Sequence, residues 1–148
     1  MRAVIQRVNR ASVSVDGELI SEIGTGLLIY LGILQGDSEK DADYLADKVL
    51  NLRIFKDNEG VNNLSVSDIQ GEILAVSQFT ICADARHGRR PSYSDAEKPD
   101  IANTLYQYFC NACSQKLITK KGVFQAHMHI DSVNDGPITI LLDSRRLF

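Results

Sequence analysis

The sequence predicts a mixed α/β fold in which a mostly antiparallel sheet carries two helices on one face. Three observations lead there. The run Leu27-Leu28-Ile29-Tyr30-Leu31-Gly32-Ile33-Leu34 is apolar throughout, as a central strand covered on both faces must be. Two segments, Ala42–Leu50 and Pro99–Ala112, repeat apolar residues at helical spacing. Shorter runs alternate apolar and polar residues, the mark of strands with one face in the core.

Residues 2–8 alternate loosely and suit a strand. Ser12-Val13-Ser14-Val15 alternates cleanly, and Asp16-Gly17 forms a tight hairpin turn into a strand over 19–23. After the central strand, Asp37 or Ser38 caps a helix, and Asp41 completes a capping box if Ser38 is the cap. Ala42, Leu45, Ala46, Val49 and Leu50 make its buried stripe. Arg53-Ile54-Phe55 reads as a short strand, residues 56–60 as a polar turn, and 73–80 as a strand entered from Gln70-Gly71. Residues 82–97 are polar, charged and aperiodic, so they form a long surface loop of the kind in which function concentrates. Pro99 opens the second helix, with Ile101, Leu105, Tyr108, Phe109 and Ala112 as its stripe. Strands over 122–131 and 138–143 finish the sheet. No repeat, low-complexity tract or linker divides residues 1–148, which read as a single domain.

A chain of 148 residues that is 44% hydrophobic can bury a real core. Its net charge of −3 excludes indiscriminate nucleic-acid binding, so any contact with RNA needs a local basic patch. Arg86-His87-Gly88-Arg89-Arg90 is the densest positive charge available. Three cysteines form no paired framework and suit a reducing cytosol. Polar residues come too early for a signal peptide, and no apolar run approaches a membrane span. The expectation is a soluble cytoplasmic protein.

Ser77 and Thr80 are hydroxyls at a strand end, but a hydroxyl nucleophile needs a base. Gln78, Phe79 and Ile81 offer none nearby, and His87, His127 and His129 are the only distant imidazoles. Backbone N–H groups at Gln78, Phe79 and Thr80 are the more economical resource, since one well-placed donor to an oxyanion is worth roughly 3–4 kcal/mol. Cys110-Asn111-Ala112-Cys113 lies inside a helical pattern with no second pair, and reads as structural. His127-Met128-His129 places two imidazoles on one strand face, a chelating pair if a third ligand joins them. Phe124, Ala126 and Met128 then share the opposite face. Near the C-terminus, Asn134-Asp135-Gly136-Pro137-Ile138-Thr139 interrupts two strand-like runs. Gly136 and Pro137 can hold two adjacent carbonyls in a fixed direction with no side chain in front.

Five strings stand in order in a chain of this length: Val4-Ile5-Gln6-Arg7-Val8, Asn51-Leu52-Arg53-Ile54-Phe55, Ser77-Gln78-Phe79-Thr80, Gly88-Arg89-Arg90-Pro91-Ser92, and the Gly136-Pro137 segment. Together they resemble the D-aminoacyl-tRNA deacylase (D-tyrosyl-tRNA deacylase) family, from Met1 to about Leu142. The resemblance implies a barrel-like sheet, a homodimer, no cofactor or metal, and an editing hydrolase that cleaves the ester of D-aminoacyl-tRNA. It implies that a cis Gly136-Pro137 enters the partner subunit's active site, meets the substrate's α-amino group and excludes an L side chain. Arg7 is then the arginine bracing that loop across the dimer. Ser77, Gln78, Phe79 and Thr80 supply oxyanion donors and the substrate floor. Phe124, Ala126 and Met128 receive the terminal adenosine, and Arg86, Arg89 and Arg90 meet phosphates of the tRNA acceptor end. The ribose 2′-hydroxyl organises the attacking water, with Thr80 as covalent nucleophile the alternative. Achiral glycine has no side chain to exclude, so glycyl-tRNA is also an expected substrate.

Ile138 and Ile81 replace the family's commoner valine and leucine. Gln125 and His127 replace a small residue and an acid, both expected on the face away from the adenosine. Two rival classes predict different behaviour: a nucleic-acid-binding module using Arg86, Arg89 and Arg90 without turnover, and a metal hydrolase using His127 and His129.

Overall fold

The computed structural model describes residues 1–148. Its first strand, β1 (Arg2–Val15), is one continuous element, where the sequence shows two separate alternating runs. A register irregularity after Val8 explains the appearance of a break. Ala3 and Ile5 face the helices, whereas Ala11 and Val13, of the same parity, face the other side of the sheet with Val8. A bulge moves the alternation by one residue without ending the strand.

The Asp16-Gly17 turn follows, with positive φ at both residues, and leads into β2 (Glu18–Ile23). The apolar run forms β3 (Gly26–Gly32), between β1 on one side and β6 (Glu72–Ser77) on the other. Both faces of β3 are covered. Leu27, Ile29 and Leu31 pack into the large core under the helices, and Leu28 packs into a smaller core with Val8, Leu74 and Val76. The β1 pairings are antiparallel, while β3–β6 and β6–β7 (Thr119–Lys121) are parallel. The ends of the path β2-β1-β3-β6-β7 curl together. Ser21 Oγ donates to the Lys121 carbonyl at 2.7 Å and Lys120 Nζ to that of Glu22 at 2.7 Å. The sheet is therefore nearly a closed barrel.

Helix α1 (Glu39–Asn51) starts at Ser38, whose backbone N–H donates to the Asp41 carboxylate at 2.8 Å. Ala42, Leu45, Ala46, Val49 and Leu50 are its buried face, as the spacing predicts. Helix α2 (Pro99–Ser114) has its Pro in the first turn, but buries Ala102, Leu105, Tyr106, Phe109, Cys110 and Cys113. Ile101 is exposed and Tyr108 only half-buried, so the expected stripe is rotated by about one residue. The polar handle of Tyr106 conceals the true face: its ring is fully buried because its hydroxyl donates to the Ala75 carbonyl at 2.9 Å.

Four other boundaries differ from expectation. Arg53 and Ile54 precede the short ribbon β4 (Phe55–Lys56) and β5 (Asn62–Leu64) instead of forming a strand. Strand β6 stops at Ser77, and Phe79–Cys82 is a 3₁₀ turn, so Thr80 is not on the strand. Residues 122–128 are irregular, with Gln125 at a positive φ of 62°. Finally, β8 (His129–Asp143) runs without interruption through the Gly136-Pro137 segment. Both flanks of that segment pair with β1: Thr139 lies opposite Gln6 and Asn134 opposite Val8. The interruption is a wide bulge opposite Arg7, not a hairpin between neighbouring strands.

Candidate active site

Strand β6 delivers Ser77 to the edge of a cleft of about 610 Å³, a size that suits a small-molecule moiety. Ser77, Gln78 and Phe79 line it together with Phe124, Ala126, Met128, Leu31 and Ile33. Two of the four expected groups, without Thr80, therefore meet in one chain. Burial alternates as the sequence implies, with Phe124, Ala126 and Met128 half-buried and Gln125 and His127 exposed. Yet the turn at Gln125 also brings Gln125 and His127 to the cleft wall, against the expectation that both face away. Alternation holds only along a strand, and this stretch is not one.

The backbone donors are fewer than expected. The Gln78 N–H is taken by the Leu31 carbonyl at 2.8 Å, a contact that anchors the strand end. Phe79 and Thr80 open the 3₁₀ turn, where the first amides have no partner within the helix. Those two remain available for an oxyanion. Thr80 is exposed, does not line the cleft, and its hydroxyl oxygen accepts from the Gln78 side-chain amide. That neighbour is a donor and no base. Glu97, at the end of the long loop, is the carboxylate that reaches the cleft; sequence reading passes over it because it sits in an aperiodic polar stretch.

Gly136 and Pro137 are exposed, joined by a cis peptide, and absent from this cleft. Along β1, Arg7 lies four residues beyond Ala3, which stands level with Leu31 and Ser77; that is roughly 13 Å. Three strand spacings, roughly 14 Å, separate β6 from β8 across the sheet. Arg7 instead meets the Gly-Pro bulge of its own chain. Its guanidinium pairs with Asp135 at 2.8 Å and donates to the Ile54 carbonyl at 2.6 Å and to Asn62 Oδ1 at 3.3 Å. The Phe55 ring lies 5.9 Å from its central carbon. Arg7 Nε finds no acceptor within the chain. Within one chain, Arg7 thus braces the bulge of its own β8. Asp135 and Asn62 are the bracing partners that sequence reading did not single out.

In the basic loop, Arg86 is not free. It grips the Asp84 carboxylate at 2.9 and 2.6 Å, and these hydrogen bonds hold that carboxyl far below the usual carboxylate range. Arg89 and Arg90 are exposed and enter no ion pair. The His127 and His129 rings meet edge-on at 5.1 Å, and no cluster of three or more His, Cys, Asp or Glu side chains gathers around them. Cys82, Cys110 and Cys113 are buried free thiols, raised by desolvation to about 11, 11 and 12. Since the thiolate is the reactive form, none of the three should react with a disulfide reagent at pH 8 until the protein unfolds, when all three should. Stoichiometric labelling of the native protein is the contrary result.

The family model for D-Tyr-tRNA(Tyr) deacylase matches residues 4–143, nearly the whole chain. The chain belongs to that family. It is 54% identical over 149 residues to a D-aminoacyl-tRNA deacylase of Syntrophus aciditrophicus (strain SB), with all of both chains covered. It is equally similar to one of Thermosipho africanus (strain TCF52B), again at full coverage. Among solved structures, a c-Myc DNA Unwinding Element Binding Protein shares 41% identity at a TM-score of 0.92, covering 97% of this chain and 98% of that one. A probable eukaryotic D-amino acid tRNA deacylase superposes at a TM-score of 0.82 and 16% identity, covering 95% and 97%, a likeness of fold alone. No helix is long and apolar enough to cross a membrane.

Proposed function

We propose that the protein is a D-aminoacyl-tRNA deacylase whose cleft receives the terminal adenosine and aminoacyl ester of the tRNA acceptor end. In this reading the Gly136-Pro137 bulge of a second copy completes the site and excludes L side chains. The observation that carries the reading is the separation of the two halves. Cleft and bulge are both built, yet one chain holds them apart. Strand β8 pairs only with β1, so its outer edge is open for its full length, with Val133 and Leu141 exposed. Long open edges are normally covered, and a twofold interface supplies the same cover to both copies.

Catalysis on this reading needs little from side chains. An aminoacyl ester is already activated, the amide of Phe79, which lines the cleft, is available to its oxyanion, and the ribose 2′-hydroxyl positions the water. The isolation of Thr80 from any base weighs against covalent catalysis by its hydroxyl. Because the bulge offers only main chain to the α-carbon, glycyl-tRNA is a substrate too. The test is hydrolysis of matched D-tyrosyl-, L-tyrosyl- and glycyl-tRNA. Cleavage of the first and third but not the second is expected; equal cleavage of both tyrosyl enantiomers would end the proposal.

A binding-only reading rests on the 41%-identical c-Myc DNA Unwinding Element Binding Protein, with Arg89 and Arg90 as the contacts in this chain. It requires binding without turnover. On either reading, Arg89→Ala and Arg90→Ala should each flatten the salt dependence of RNA binding by about one unit of slope. Arg86→Ala should flatten it less, since Asp84 already neutralises that charge. Equal changes for all three would contradict the free-cation assignment.

A further inference from the structure

Phe79 lines the cleft yet is 58% exposed, and Tyr93 is 42% exposed beside it. The two rings meet edge-on, with centroids 5.1 Å apart. An exposed aromatic pair at the rim of a cleft offers π-faces on which a flat ring can stack. Tyr93 is also held firmly for a residue in a long loop. The Asp84 and Ser92 backbones exchange two hydrogen bonds of 2.8 Å just before it. Just after it, Gln35 Nε2 donates to the Ser94 carbonyl at 2.7 Å and the Gln35 N–H to that of Asp95 at 2.9 Å. The Glu97 N–H donates to the Ile33 carbonyl at 2.9 Å, tying the loop to the cleft wall. Arg90, with no anionic partner, lies three residues earlier, within about 10 Å along the chain.

A rigid exposed ring, a free cation one short step away, and continuity with the cleft through Phe79 fit one kind of occupant. We propose that Tyr93 is the stacking platform for the nucleobase that precedes the terminal adenosine, with Arg90 and Arg89 facing the phosphates on either side of that nucleotide. This rests on the deacylase reading above and extends it to the second nucleotide of the acceptor end. Stacking on an aromatic ring is indifferent to base identity, and its loss weakens binding by roughly five- to hundred-fold per base. Tyr93 touches no reacting atom on this view; it is a positioning residue that acts on substrate affinity.

The experiment compares Tyr93→Ala, Tyr93→Phe and wild type on D-tyrosyl-tRNA and on D-tyrosyl-adenosine, the ester that lacks the second nucleotide. Tyr93→Ala should raise KM for the tRNA substrate about tenfold or more with kcat little changed. Its loss on the adenosine ester should be at least several-fold smaller, and Tyr93→Phe should restore most of the tRNA affinity. Equal losses on both substrates would overturn the proposal, because Tyr93 would then only be supporting Phe79. A second readout does not depend on turnover: a short RNA carrying fluorescent 2-aminopurine at the penultimate position. Its emission should be quenched on binding wild type and not on binding Tyr93→Ala. Binding without quenching would overturn the platform while leaving the deacylase reading intact. Quenched RNA with no hydrolysis of either ester would instead sink the deacylase reading alone.

Discussion

Gly136→Ala should lower kcat/KM for D-tyrosyl-tRNA by about a hundredfold, with far less effect on folding. Gly136 sits at φ +120°, a region closed to residues with a Cβ. An added methyl would also lie 3.1 Å from Ile138 Cγ1 and 3.2 Å from the Arg7 guanidinium. The bulge must therefore shift, and it is held by few bonds: Asn134 Oδ1 accepts from the Ile138 N–H at 3.1 Å, and Asp135 pairs with Arg7. Displacement of about 1 Å is enough to disorder a geometry that reads one α-carbon. Steady-state kinetics with the D substrate, beside a urea melt, checks both halves. Wild-type activity in a folded Gly136→Ala protein would show that the bulge does no recognition.

Arg7→Ala should be the more damaging to stability, by about 2–4 kcal/mol. Its side chain is buried, with only 7% exposed. Removing it leaves the Ile54 carbonyl, in a buried contact, without its donor and opens space beside Phe55. The Asp135 share is small, because that carboxylate is 43% exposed and water can replace its partner. Arg7→Lys should recover only part of the loss, because one ammonium cannot reach Ile54, Asn62 and Asp135 together. Denaturant unfolding measures the cost. A loss below about 0.5 kcal/mol in Arg7→Ala, the size of an ordinary surface change, would show that the buried fork contributes little.

How much could be read beforehand depended on whether a signal was local. Leu27–Leu34 and the α1 stripe were legible, because burial on both faces or on one helical face writes directly into the spacing of apolar residues. The α2 face was misread by one position, since a tyrosine and two cysteines make up half of what it buries. The β1 bulge disguised one strand as two, and the Gly136-Pro137 bulge did the same to β8. Both are consequences of pairing, which spacing alone does not encode. At the site, Ser77, Gln78 and Phe79 do share a cleft with Phe124, Ala126 and Met128. Three facts lay beyond sequence: the use of the Gln78 amide by Leu31, the capture of Arg86 by Asp84, and the entry of Gln125 and His127 into the cleft wall. Each depends on residues brought together by turns whose geometry leaves little trace in the pattern.

The central claim is that one copy's bulge completes another copy's cleft, and subunit complementation measures it. Gly136→Ala damages the bulge, and Ala126→Trp fills the cleft, so each variant alone should keep about a hundredth of wild-type activity or less on D-tyrosyl-tRNA. Unfolded and refolded together in equal amounts, they should regain activity, up to about a quarter of the wild-type sites, because mixed dimers hold one intact cleft facing one intact bulge. If two folded variants gain no activity on mixing, with mixed dimers verified by mass, each chain must carry its own complete site.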